Sequence, residues 1–112
     1  IHKVFNFTPD LPETPGIPTV RCEIEDSDKD QQKMLEKGVG WAEQVMEAME
    51  EGPVLIHCKE GRQRSATIAT LIYGLKHGQQ LHTILKKLRA KRPFLLEPTP
   101  TFKKALKAWF YG

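Results

Sequence analysis

The chain's 112 residues, 39% hydrophobic and 28% charged, leave room for one globular domain, residues 1–112, around one core. No apolar run approaches the roughly 20 residues that cross a bilayer, and the proline-rich start, Ile1 to Pro18, does not read as a secretory signal. The net charge of +3 hides an asymmetry: residues 1–56 carry 5 Lys/Arg against 12 Asp/Glu, a net −7, while residues 57–112 carry 12 against 2, a net +10.

A basic half suits a phosphorylated or polyanionic ligand, although solvated helix faces give the same count. The two cysteines, Cys22 and Cys58, are too few for a disulfide scaffold and lack metal-ligand spacing. His2, His57, His77 and His82 show no ligand spacing with carboxylates either. No metal and no cofactor is therefore expected, and a reducing, cytoplasmic setting is the default.

In chain order, Val4-Phe5-Asn6-Phe7 reads as a short strand, followed by a proline-rich loop from Thr8 to Pro18. Thr19 to Ile24 reads as a second strand and Glu25 to Asp30 as an acidic loop. Met34, Leu35, Val39, Ala42, Val45, Met46 and Met49 recur at helical spacing, which predicts a helix over 31–51 that Gly52-Pro53 ends. Val54-Leu55-Ile56 is an apolar run behind a turn, as expected of a covered strand. Ala66 to Leu75 is apolar nearly all round and predicts a buried helix, with Gly78 as its cap. Further helices are predicted over 80–91, ahead of Pro93, and over 101–111. This order predicts an α/β fold with a mostly parallel central sheet flanked by helices.

The chemistry gathers between the third strand and the second helix. His57-Cys58-Lys59-Glu60-Gly61-Arg62-Gln63-Arg64-Ser65 joins them, and a loop in that place presents successive backbone N–H groups at a helix start, an anion cradle. Gly61 permits the backbone such a nest requires. The same field favours a thiolate at Cys58, which makes it a candidate nucleophile. The planar fork of Arg64 suits two phosphate oxygens, and Ser65 sets a hydroxyl near the sulfur. His57 is expected to steady the loop by bonding to nearby backbone. Cys58 as a small buried hydrophobe is the plainer alternative, but Lys59, Glu60, Arg62 and Gln63 are residues no core accepts.

His57-Cys58-x-x-Gly61-x-x-Arg64-Ser65 resembles the cysteine-loop motif of the protein tyrosine and dual-specificity phosphatases. The resemblance extends to Ile1–Phe7, to Arg92-Pro93 and to Glu97-Pro98-Thr99-Pro100-Thr101-Phe102, where Thr99 replaces the family's asparagine. It implies a phosphatase-like fold with a shortened amino terminus, because the family's preceding hairpin and helix have no counterpart. Either upstream residues are missing, or the uncovered sheet edge is protected by pairing into a homodimer. A shallow site of the dual-specificity type is expected. It also implies a general acid about thirty residues before the cysteine. Asp26 fits best, with Asp28, Asp30 and Glu25 as alternatives. Cys22 is expected to be buried packing, or else the redox partner of Cys58 in a reversible disulfide.

The implied activity is hydrolysis of phosphomonoesters on proteins through a phosphocysteine intermediate. Lys59 and Arg62 keep a second class open, phosphoinositides or other anionic phospholipid headgroups, since that pair is similar to the basic loop residues of lipid phosphatases. An RNA 5′-phosphate is a third substrate class. A non-catalytic phosphate-binding module on the same fold predicts loss of Cys58, Arg64 or the acid, and all are present. No nucleic-acid partner is expected, because the basic residues of the last helices are not interleaved with aromatics.

Overall fold

The computed structural model describes residues 1–13, 15–25, 27–59, 64–91 and 102–111. It contains β1 (Lys3–Asn6), β2 (Thr19–Arg21), a 3-10 turn (Asp28–Asp30), α1 (Gln31–Glu51), β3 (Val54–His57), α2 (Arg64–His77), α3 (Leu81–Lys91) and α4 (Lys103–Tyr111). The three strands form one parallel sheet in the order β2-β1-β3, as the alternation of strands and helices predicts.

Val4 and Phe5 point to opposite faces of β1 and both are at most 1% exposed, so the central strand is covered on both sides. Asn6 stands in register with Arg21 on one side and His57 on the other. All three strands therefore stop at one level, and the segments that follow them emerge together. Among the described residues β3 pairs with β1 alone. Beside its other edge lies an apolar groove of about 430 Å3, lined by residues that include Val45, Met49, Val54, Ile56, Ile72 and Tyr73.

The second expected strand is shorter than its propensity suggests. Thr19 to Ile24 is apolar enough to extend, but ladder pairing ends at Arg21 because β1 ends at Asn6. In contrast, α1 has the bounds that its periodicity and Gly52-Pro53 predict. The helix α2 is buried almost all round, from Arg64 to Ile72, and Thr70 Oγ1 donates to the Ala66 carbonyl at 2.8 Å, which satisfies the hydroxyl inside the core. Its carboxyl end is closed by Gly78, whose φ of +62° and N–H bond to the Gly74 carbonyl form a left-handed cap.

Two glycines of α1 separate intrinsic preference from packing. Gly38 is buried, and a Cβ there would overlap the Trp109 indole, which docks α4 onto α1 and donates from Nε1 to the Leu35 carbonyl at 3.4 Å. Gly40 is exposed, with nothing within 4 Å of the same added atom. Gly40→Ala should raise stability by about 0.5–1 kcal/mol from helix propensity alone. Gly38→Val should lower it by about 1–3 kcal/mol, since overpacking outweighs propensity. Urea denaturation of the two variants checks both signs.

Candidate active site

Ladder bonding continues one step past the strand ends. Phe7 N–H donates to the His57 carbonyl and Cys22 N–H to the Asn6 carbonyl, both at 2.8 Å. By this register Phe7, fully buried and edge-on to Trp41 with ring centroids 5.7 Å apart, lies between Cys22 and Cys58. Cys58 thus leaves the sheet at its carboxyl end, where ligands of parallel α/β sheets bind, and the chain enters α2 at Arg64.

Cys58, Arg64 and Ser65 are 7%, 8% and 6% exposed. The Cys58 Sγ and Ser65 Oγ atoms are 3.3 Å apart, within hydrogen-bonding range. A hydroxyl there can donate to a thiolate or to a departing thiolate. Arg64 Nη1 donates to the Ile24 carbonyl at 2.9 Å, while its buried Nε–H finds no acceptor among the described residues. Leaving a charged donor buried and unmatched is costly, which makes this face of the guanidinium a strong receiver for an anion. Lys59 is exposed beside Cys58.

Glu60, Gly61, Arg62 and Gln63 lie outside the described residues, as do Asp26, the side chain of Asp28, Arg92-Pro93 and the 97–101 segment. The expected ring bond from His57 to backbone is not found among the described residues; its carbonyl carries the contact to Phe7 instead. Of the other acid candidates, Glu25 is exposed and pairs with Lys29 at 3.0 Å, a contact that pushes the Lys29 pKa up. Asp30 Oδ2 accepts from the Glu25 N–H at 2.7 Å.

The redox partnership of Cys22 needs correction. Neither cysteine is in a disulfide, and β1 separates their strands. Two inter-strand steps amount to roughly 9–10 Å, beyond the about 7 Å between Cα atoms that a disulfide spans. Pairing would require Phe7 to leave its place. Cys22 is instead 1% exposed, and burial pushes its thiol up to about 12, so it stays protonated at neutral pH as core packing.

Three polar residues of the opposite wall escaped the motif search. Asn6 and Thr8 are fully buried. Thr8 Oγ1 donates to Asn6 Oδ1 at 2.6 Å, and Asn6 Nδ2 donates to the Leu11 carbonyl at 3.1 Å. Arg21 donates to the Thr8 and Leu11 carbonyls at 2.9 and 2.7 Å. This network ties the start of the proline-rich loop to β1 and β2. The available signal was an asparagine between two phenylalanines in an apolar strand, which a buried position tolerates only with partners.

Among the described residues no cluster of His, Cys, Asp or Glu could hold a metal ion, and no helix is long and apolar enough to cross a membrane.

The family model for the dual specificity phosphatase catalytic domain matches residues 1–111. The chain belongs to the dual-specificity phosphatase family. Its fold is similar to that of human DUSP28, with 23% identity over 98% of this chain and 74% of that one and a TM-score of 0.82. DUSP15 matches with 21% identity over 100% and 71% of the two chains and a TM-score of 0.79. Tk-PTP, solved in its active form, matches with 27% identity over 96% and 76% and a TM-score of 0.69. No curated protein matches the sequence. As a family member the chain is a hydrolase of the protein-tyrosine/dual-specificity phosphatase class.

The thiol of Cys22 gives this dual-specificity phosphatase a pH signature. A thiol held neutral by the fold contributes stability fully below its unfolded value of 9.0, and loses it as pH rises toward about 12. Urea denaturation should show wild type losing more stability than Cys22→Ala between pH 9 and pH 11. Equal losses would show that Cys22 ionises as freely in the folded protein as in the unfolded chain.

Proposed function

We propose that the chain dephosphorylates phosphotyrosine and phosphoserine or phosphothreonine in proteins through a phosphocysteine intermediate. The observation that carries this reading is the buried Arg64, with one donor fixed on Ile24 and Nε without an acceptor among the described residues, one residue before the hydroxyl that faces Cys58.

In the first step the Cys58 thiolate attacks phosphorus and the bond from phosphorus to the ester oxygen breaks. The leaving oxygen takes its proton from Asp26, assigned by its place in the chain. In the second, water attacks the phosphocysteine and gives its proton to the Asp26 carboxylate. The sulfur departs as a thiolate, stabilised by the Ser65 hydroxyl, and inorganic phosphate is released. Arg64 binds the equatorial oxygens more tightly as the five-coordinate geometry forms, and this difference between transition and ground state accelerates the reaction.

Exposed Lys59 beside the nucleophile, with Arg62 in the same loop, favours a second substrate class, a phosphoinositide or other anionic phospholipid headgroup. The reading suits a reducing compartment such as the cytoplasm, where the thiolate persists. It extends to assembly. Among the described residues β3 pairs along one edge, and Met49, exposed at 42%, lines an apolar groove; both support pairing of two copies. A monomeric mass in light scattering at micromolar concentration counts against that pairing.

Release of inorganic phosphate, with chelator present, tests the chemistry on phosphotyrosine and phosphothreonine peptides and short-chain phosphoinositides. Wild type should turn over and Cys58→Ser should fall to background. Arg64→Lys should lose about 10²–10³-fold in kcat, because a point charge does not replace the fork. Ser65→Ala should slow turnover while phosphoenzyme accumulates in a burst. Activity that survives in Cys58→Ser, or vanishes with chelator, sinks the mechanism, and the preferred substrate decides between protein and lipid.

A further inference from the structure

The acidic segment between β2 and α1 is closed on itself. Ser27 N–H donates to the Glu25 carbonyl at 2.9 Å and Asp30 N–H to the Ser27 carbonyl at 3.1 Å. The closing contact is the Asp30 carboxylate, which reaches back five residues to accept the Glu25 N–H at 2.7 Å. One residue earlier, the Ile24 carbonyl is held by Arg64 at 2.9 Å. Ile24 is therefore fastened to Arg64, and Glu25 to Asp30, the last residue before α1.

Asp30 sits where a helix cap is expected, directly ahead of α1, and its side chain makes no cap bond to that helix. An aspartate at this place ordinarily accepts from the first N–H groups of the helix it precedes. Here the carboxylate serves the acidic loop instead, through a contact in the short range of charge-assisted bonds. Lys29, paired with the Glu25 side chain at 3.0 Å, crosses the same neck. That pair joins two flexible, solvent-screened side chains, whereas the Asp30 contact is shorter and holds a backbone N–H, which makes it the firmer tie on the loop.

We infer that Asp30 is a positioning residue for the general acid: its carboxylate clamps the Glu25 N–H and fixes the reach of the loop that delivers the proton. This rests on the phosphatase reading above and removes Asp30 from the candidates for the acid itself. Misplacement by about 1 Å can cost on the order of 100-fold in rate.

Asparagine keeps an oxygen acceptor but carries no exchangeable acid proton, whereas alanine keeps neither. Two aryl phosphates separate the roles, phenyl phosphate, whose leaving group needs a proton, and 2,4-dinitrophenyl phosphate, whose leaving group does not. Asp30→Ala should lose about 10- to 100-fold in kcat on phenyl phosphate and less than about threefold on the dinitrophenyl ester. Asp30→Asn should stay within about threefold of wild type on both. Hydrogen exchange at the Glu25 amide should be slow in wild type and Asp30→Asn and fast in Asp30→Ala, whether or not the protein turns anything over.

Four results overturn the inference: Asp30→Asn as impaired as Asp30→Ala on phenyl phosphate alone, which makes Asp30 the acid; equal losses on both esters, which make it a folding element; wild-type rates in both variants; and a Glu25 amide that exchanges freely in wild type. A wild type inactive on both esters, with the Glu25 amide still protected through Asp30, instead counts against the phosphatase reading while the clamp stands.

Discussion

Burying a guanidinium costs several kcal/mol unless acceptors meet it, and among the described residues Arg64 meets one, the carbonyl of Ile24, 40 residues away in sequence. That bond joins the start of α2, where a phosphate would be cradled, to the end of the segment that leads into the acidic loop. The two halves of the chemistry are far apart in the chain and opposite in charge, net +10 and net −7. Arg64 ties the two segments together from the basic side.

The parallel sheet makes this meeting possible. Because Asn6, Arg21 and His57 are in register, the three segments that follow the strands start from one level: the Thr8–Leu11 turn, Cys22 to Ile24, and Cys58. The same register separates the two thiols. Cys22 and Cys58 flank Phe7, and only Cys58 opens onto a helix start. A thiol with no compensating donor is driven toward its neutral form by burial, as Cys22 is. One sheet thus holds one sulfur as packing and presents the other for chemistry.

The sequence carried the parts of this picture that depend on local chemistry. The apolar period of α1 and the Gly52-Pro53 stop define its ends, and the spacing of Cys58, Arg64 and Ser65 between an apolar run and a buried helix singles out the candidate nucleophile and the candidate phosphate grip. What it did not carry depends on strand order and register. The length of β2 is set by where β1 stops, not by the alternating pattern that runs on to Ile24. The distance between the cysteines is set by β1 lying between them, and no spacing in the chain encodes that. Gly38 likewise looks like a weak point in a helix until Trp109, 71 residues later in the numbering, is seen to need its space.

The two walls around the nucleophile are secured by different physical means. On one side the fully buried Asn6 and Thr8 bond to each other, where breaking the pair would strand polar groups away from water, and the half-buried Arg21 ties the Thr8 and Leu11 carbonyls to β2. On the other side the acidic loop is held by an exposed carboxylate and by one bond from Arg64. Each wall therefore has its own anchor, buried polar pairing on one side and the Asp30 clamp with the buried Arg64 bond on the other. Two anchors suit the mechanism proposed above, in which the phosphate stays in one geometry through both steps while the acid gives up a proton in the first and takes one from water in the second.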